Sequence, residues 1–480
     1  MAYTYQQHIG GEWRDALNGS SWSVINPATE DVIREVPFGD GRDCHAAIEA
    51  ASLAFPAWSR YTPYQRGAIL KKAADLMRER NDELARTTTL ESGKPLLQSR
   101  GEWAVAADLF EWFAEEGKRA YGRVIPSRNA ARRLTVLRQP VGVVGVITAW
   151  NFPIYNVARA GAAALAAGCT VVFRPSELTP LTAMEMVSIL LEAGMPVGVV
   201  NLVNGEPQAI AQEMLEHPYC AKIHFTGSQR VGKMLMDGAS KTVTRLSLEL
   251  GGNAPVLIFP DVDVAAVAAG AITAKFRNAG QVCVSPQRFF VHRDIAERFT
   301  EEIVRVASGL RLGSGLLPEV NVGPLISCRH RDAVEAVVES AKVTGCGVAL
   351  GGNRPSALGK GFFFEPTVIT GVTSRSPLFS QEIFGPVLPI AIFDHTDEAI
   401  AEANSTRYGL AAYAWTNDLR IAQRVAENLE FGLIGINDWS PQATEAPFPG
   451  WKESGVGQES GMEGLLEYLE TKVLSTGYAG

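Results

Sequence analysis

From Gly142 onward, short apolar runs alternate with longer stretches whose apolar residues recur at helical spacing. The run Gly142-Val143-Val144-Gly145-Val146-Ile147-Thr148-Ala149-Trp150 reads as a strand buried on both faces. An Ala-rich helix is expected from Ile154 to Ala167, then a strand Thr170-Val171-Val172-Phe173. A helix follows through Met184 to Leu191 and ends near Gly194. The alternation continues with a strand from Val199 to Val203, a helix around Ile210 to Leu215 and a strand from Lys222 to Phe225. A further helix starts after Gly227-Ser228. A second set begins near Gly252, with Pro255 to Phe259 as a strand, Val262 to Phe276 as a helix and Arg288 to His292 as another strand. Such alternation predicts βαβ units and a parallel sheet. Earlier, Pro95 sits at a plausible first helical position, and Val105, Leu109 and Phe113 repeat every four residues as one helix face. The segment Arg123 to Arg138 is more basic and less periodic, and reads as a loop or an exposed ribbon.

Length and composition narrow the class. A chain of 480 residues is too long for one ordinary core, so two or three domains are expected. With 46% hydrophobic and 20% charged residues the balance is that of a globular protein, and the net charge of −8 argues against nucleic-acid binding. The six cysteines form no C-x-x-C pair and the seven histidines form no ligand motif, so neither a disulfide framework nor a metal site is expected. The start, Met1 to Gln7, lacks a basic and apolar leader pattern, and no apolar stretch is long enough to span a membrane. A cytoplasmic location is the expectation.

One thiol stands out. Phe276-Arg277-Asn278-Ala279-Gly280-Gln281-Val282-Cys283 places Cys283 in a short polar, Gly-containing segment between a helix and a strand. A thiol at such a turn can be reactive, whereas one inside an apolar run is inert packing. A nucleophile also needs partners, and Glu249 and Asn151 are the upstream candidates. Parallel sheets bind ligands at the carboxyl ends of their strands. Three such ends carry suitable residues: Ile147 to Trp150, Phe173 to Glu177, and Phe225 to Gly232. The last has Gly227 and Gly232 but is not the G-x-G-x-x-G fingerprint, so close packing explains its glycines as well as phosphate binding does.

The signatures Trp150-Asn151-Phe152-Pro153, Phe225-Thr226-Gly227-Ser228, Leu248-Glu249-Leu250-Gly251-Gly252, Asn278 to Cys283, and Glu382-Ile383-Phe384-Gly385-Pro386 occur together and in order. Through them the chain resembles the aldehyde dehydrogenase superfamily along nearly its whole length. The resemblance implies an α/β fold with a Rossmann-type cofactor domain (1–122 and 140–250) and an α/β catalytic domain (251–436). A small β oligomerisation extension, with the C-terminal substrate loop, would take 123–139 and 437–480. It also implies a homodimer or homotetramer.

By the same resemblance Cys283 is the nucleophile, Asn151 helps to hold the oxyanion, and Glu249 is the general base that delivers water to a thioester. Glu459 matches an acid given a proton-relay role. The cofactor would be held by Ile147, Thr148, Ala149, Trp150, Arg174, Ser176, Glu177, Phe225, Thr226, Gly227, Ser228, Val231, Leu250, Gly251, Glu382 and Phe384. A carboxylate such as Glu177 suits the free ribose hydroxyls of NAD. Arg174 stands where the family usually has Lys, and a guanidinium pairs well with phosphate. NAD is therefore expected, with NADP as the second candidate. The run Ala274 to Cys283 looks like the succinate semialdehyde and α-ketoglutarate semialdehyde branch, in which Arg159 and Arg277 would clamp a distal carboxylate. Tyr155, Trp439, Ser440 and Gln442 are the other substrate candidates. The aromatic pair keeps an aromatic or other anionic aldehyde open, and a thiol esterase that uses no cofactor is the alternative of a different class. The C-terminal motif reads Pro447-Phe448-Pro449-Gly450-Trp451-Lys452, with Pro449 where the family has Gly.

Overall fold

The computed structural model describes residues 5–373 and 376–478; Met1 to Thr4 of the opening segment lie outside this range. Two large sheets carry the molecule. In the first, the predicted strands appear at Val143–Ile147, Thr170–Arg174, Val200–Leu202 and Cys220–Thr226, joined by a strand Arg245–Glu249 that was not expected, all parallel. Numbered along the chain, these five lie in the order 3-2-1-4-5. The order reverses between Val143–Ile147 and Cys220–Thr226, and such a switch point opens a crevice at the strands' carboxyl ends. Antiparallel strands close both edges: Gln7–Ile9 and Glu12–Arg14 on one side, Gly455–Val456 on the other.

The second sheet runs Gly347–Leu350, Thr367–Thr370, Val387–Phe393, Pro286–His292, Ala254–Ile258, Ala411–Trp415, Leu433–Ile436. Only its first pair is antiparallel. The basic segment is a ribbon: Arg123–Ile125 and Arg132–Pro140 pair antiparallel, and Leu469–Gly477 completes a small three-stranded sheet. Val124, Val473 and Leu474 are exposed on it.

The helix Pro153–Ala167 is buried at every residue except Tyr155, as its all-round Ala and Val content requires. Gly168 ends it in the left-handed conformation. The helix expected near Pro95 spans Leu96–Glu116, with Pro95 as its cap rather than its first residue. Leu109 and Phe113 are buried, but Val105 is not. Each four-residue step advances roughly 40° beyond a full turn, so the two steps from Val105 to Phe113 drift roughly 80° off one face. Between 437 and 478 the chain contributes to two sheets. Leu248 and Glu249 pair with Val456 and Gly455, because the edge of the first sheet needs a backbone partner. Only Leu469–Gly477 of this stretch joins the small sheet. Among the described residues, no helix is long and apolar enough to cross a membrane.

Candidate active site

Cys283 lies between two cavities, one under each functional half of the site. Its segment is held in an unusual shape. Asn278, Ala279 and Gly280 all have positive φ, at 49°, 55° and 76°. A Cβ on Gly280 would lie 2.1 Å from the Gly385 carbonyl oxygen, so only glycine fits. Side-chain amides pin the turn: Asn278 Nδ2 donates to the Asn151 carbonyl at 2.8 Å, and Gln281 Nε2 donates to the Asn278 carbonyl at 2.9 Å. The motif residues before the thiol are thus the scaffold that presents it.

The smaller cavity, about 200 Å³, sits at the crevice of the first sheet. Of the predicted cofactor residues, Ala149, Trp150, Thr226, Gly227, Ser228, Leu250, Gly251, Glu382 and Phe384 line it, together with Asn151, Glu249 and Cys283. Ser228 caps the helix Gln229–Ala239, accepting from the Val231 N–H at 3.4 Å. The N–H groups of that helix's first turn suit a phosphate. The Trp150 and Phe384 rings meet edge to face with centroids 5.4 Å apart. Glu382 accepts from the Gly252 N–H at 3.0 Å, and burial pushes its carboxyl up to about 7. Ile147, Thr148 and Phe225 are buried beneath the crevice instead of lining it. A Cβ on Gly227 would meet the Phe225 ring at 2.4 Å, which shows how closely that ring supports the turn. Val231 packs toward the core behind the crevice, and the Ser176 hydroxyl accepts from the Leu178 N–H at 3.3 Å. Arg174 is already engaged: its Nη2 meets Glu177 at 2.7 Å and donates to the Gly205 carbonyl at 2.9 Å. The charges weighed separately in the sequence therefore partly cancel. These residues fit a nicotinamide dinucleotide laid across the switch point.

The larger cavity, about 370 Å³, is lined by Tyr155, Arg159, Arg277, Gln442 and Cys283, with Phe152, Thr444 and Phe448. Arg159 is buried, and its guanidinium lies 4.7 Å from the Tyr155 ring centroid and 4.4 Å from that of Phe448. Its Nη2 is 2.6 Å from Glu459, whereas Nε and Nη1 have no partner. Arg277 lies 5.3 Å from the Phe152 ring and, among the described residues, makes no ion pair or hydrogen bond. Trp439 and Ser440 do not line this cavity. They face an adjoining one of about 390 Å³ that shares Arg277, and Trp439 packs against Trp415 and Tyr413. Pro449 pairs with Gln458 beside the cavity, and Lys452 is an anchor, 2.6 Å from Glu430.

The electrostatics fit acid–base work at a thiol. Burial raises the Cys283 thiol well above its ordinary range; nearby Glu249 adds to this and Arg159 opposes it. Glu249, buried at the end of Arg245–Glu249, is likewise raised by burial and then by Glu459, and it lines the same cavity as Cys283. Its Oε1 has no hydrogen-bond partner among the described residues. Glu459 goes the other way: burial would raise it, but Arg159 and His224 hold it below the usual carboxylate range. Two carboxyls pushed apart in this way can take distinct acid and base roles. Asn151 is fixed by Asn156, whose Nδ2 donates to its Oδ1 at 3.3 Å, and its own Nδ2 donates to the Gln281 carbonyl at 3.2 Å.

Several residues were not picked out from the sequence. Lys94, fully buried, donates to the Asn151 carbonyl at 2.8 Å and pairs with Glu102, whose other oxygen accepts from the N–H groups of Ile154 and Tyr155. Glu102 thus holds the start of the helix that carries Arg159. Asn156, five residues after Asn151, was the accessible signal: an amide inside an otherwise apolar helix start. Far from this site, His45, Glu213 and His217 bring ligand atoms within 4.8 Å of one another, a cluster that the scattered histidines did not suggest. His217 Nδ1 already accepts the Tyr219 N–H at 3.2 Å there.

A sequence profile described as "Aldehyde dehydrogenase family" matches residues 13–474. The chain is 42% identical over 475 residues to "Succinate-semialdehyde dehydrogenase [NADP(+)] GabD" of Escherichia coli (strain K12), covering 99% of this chain and 98% of that protein. It is 41% identical to "Glutarate-semialdehyde dehydrogenase" of Pseudomonas putida, with 98% of each covered. Among solved structures, betaine aldehyde dehydrogenase of Staphylococcus aureus in complex with NAD+ has the same fold. Its TM-score is 0.97 at 37% identity, covering 99% of this chain and 95% of that one.

Proposed function

The chain belongs to the aldehyde dehydrogenase family, and from that footing we propose that it oxidises an ω-carboxylate semialdehyde, such as succinate semialdehyde, to the dicarboxylic acid. One observation carries this reading: two arginines line the Cys283 cavity, and one of them, Arg277, has no ion-pair partner among the described residues. Relatives named for succinate and glutarate semialdehydes support it. A betaine aldehyde is cationic and would be repelled there.

In this mechanism Glu249 takes the proton of the Cys283 thiol, and the sulfur bonds to the aldehyde carbon. The oxygen that becomes negative accepts from Asn151 Nδ2 and from the Cys283 backbone N–H. A bound NAD(P) supplies the hydride acceptor. Arg277 and the free nitrogens of Arg159 hold the distal carboxylate, which fixes the aldehyde carbon against sulfur. Glu249 passes the thiol proton to solvent, then deprotonates the water that cleaves the resulting thioester, and returns that proton to the sulfur as the acid leaves. Burial raises Glu249, so its ionised form is a strong base once formed.

Residues 1–122 and 140–250 form the cofactor domain in this reading, and residues 251–436 the catalytic one. Exposed Val124, Val473 and Leu474 on the small sheet suit assembly into a homodimer or homotetramer, acting in the cytoplasm. The Arg174–Glu177 pair leaves room for both NAD and NADP. The test is a rate panel of succinate semialdehyde, butanal and benzaldehyde with each cofactor, followed by the absorbance of the reduced nicotinamide. The semialdehyde should lead butanal by at least about tenfold in kcat/KM, the effect of one charge-assisted hydrogen bond. A preference for butanal or benzaldehyde would overturn the reading.

A further inference from the structure

A buried polar chain runs outward from Arg159 and has no part in the steps above. Glu459 presents one oxygen to Arg159 Nη2 at 2.6 Å and the other to His224 Nε2 at 2.7 Å. His224 Nδ1 is in turn 3.2 Å from the Tyr468 hydroxyl. All four side chains are buried, with His224 at 0% exposure. They come from separate elements: Arg159 from Pro153–Ala167, His224 from Cys220–Thr226, Glu459 from Gln458–Glu459, and Tyr468 from the segment after Gly461–Leu466.

The chain has one consistent set of donors. Burial keeps the Tyr468 phenol protonated, so it donates to His224 Nδ1. The ring proton then sits on Nε2, 2.7 Å from Glu459 Oε1. Each Glu459 oxygen thereby lies against one nitrogen at close range, Arg159 Nη2 on one side and His224 Nε2 on the other, and the two contacts set the carboxylate's orientation. Arg159 meets Glu459 through a single nitrogen, while its Nε and Nη1 are buried without a hydrogen-bond partner and the side chain forms part of the cavity wall.

We propose that His224 is a positioning residue for the substrate carboxylate, acting through Glu459 on Arg159. This rests on the ω-carboxylate reading of the substrate. Without the His224 donor, one Glu459 oxygen is left bare in the interior, a costly state for a charged group. The carboxylate then turns to grip Arg159 with both oxygens. That rotation covers N–H groups the substrate needs and draws the guanidinium off the cavity wall. An aldehyde without a distal anion does not depend on those groups.

The experiment compares kcat and KM for succinate semialdehyde and butanal in the parent, His224→Leu, His224→Gln and Tyr468→Phe enzymes at saturating cofactor. His224→Leu keeps bulk and removes the donor. It should lower the semialdehyde-to-butanal ratio of kcat/KM by about 3- to 20-fold, chiefly through the KM of the semialdehyde, the size of one hydrogen bond to a charged group at one remove. His224→Gln, whose amide can donate from nearly the Nε2 position, should recover most of the ratio. Tyr468→Phe, which releases the ring tautomer, should shift it the same way by less, and it carries the test if His224→Leu fails to fold. An unchanged ratio, or a His224→Gln loss as deep as that of His224→Leu, overturns the proposal. A parent enzyme that does not prefer the semialdehyde sinks the substrate reading and this proposal with it; a preference that survives His224→Leu sinks this proposal alone.

Discussion

Replacing Arg277 with leucine removes the unpaired cation of the substrate cavity and little else. Among the described residues no carboxylate pairs with Arg277, and leucine would still cover the Phe152 ring that its guanidinium now overlies at 5.3 Å. The stability change should therefore be on the order of 0.5 kcal/mol, as for changes outside buried networks. Binding is another matter. A hydrogen bond to a charged group contributes about 1.5–3 kcal/mol, so kcat/KM for succinate semialdehyde should fall by roughly 10- to 150-fold. The assay is initial-rate kinetics on succinate semialdehyde and butanal, with thermal unfolding of the same preparations. Arg159→Leu is the informative contrast. It strips Glu459 of its cation beside Glu249 and leaves two carboxyls buried together. Breaking a buried pair costs about 3–5 kcal/mol, so this variant should melt earlier and lose activity on both substrates. If Arg277→Leu keeps the parent's preference for the semialdehyde, or loses butanal activity to the same extent, the clamp argument fails.

Four further outcomes follow from the same geometry. Cys283→Ala should abolish aldehyde oxidation while cofactor affinity, measured by calorimetry, stays near that of the parent; residual turnover close to wild type would remove Cys283 from the mechanism. Glu249→Gln should slow thioester hydrolysis, so rapid mixing shows a burst of reduced cofactor and little steady turnover. In the parent, a carboxyl raised by burial and by Glu459 is a base only in its ionised form, so hydrolysis-limited turnover should climb with rising pH, and a flat profile from mildly acidic to alkaline buffer would contradict it. Glu177→Gln should free Arg174 and raise the NADP-to-NAD ratio of kcat/KM, and a ratio that does not move would show that this pair does not govern cofactor choice.

Much of the framework could be read along the chain because its causes are local. A strand covered on both faces must be apolar throughout, so Val143–Ile147 and Thr170–Arg174 stood out as runs. The Pro153–Ala167 helix announced itself by Ala content. Val105 was misassigned because spacing by four mimics a single face over only a few residues, and the real face was set by the neighbouring helices. Trp439, a substrate candidate, faces the adjoining cavity that shares Arg277, and nothing in the loop's own sequence tells which of the two cavities it occupies.

The parts of the site hidden from the sequence are those in which charge is balanced over long separations. Nothing local to Arg159 foretells that Glu459, 300 positions later, neutralises it, or that His224 fixes Glu459 in turn. Yet this balance decides how the two arginines differ. Arg159 brings its charge already paired, so the cavity gains hydrogen-bond donors from it but little net field. Arg277 brings an unpaired charge on the segment that carries the nucleophile. A monoanionic aldehyde therefore meets one uncompensated cation close to the thiol, and its reacting carbon is oriented by the same short stretch that holds the sulfur. That coupling requires the turn to be rigid, and the three consecutive positive-φ residues at Asn278 to Gly280, pinned by Asn151 and Gln281, make it so.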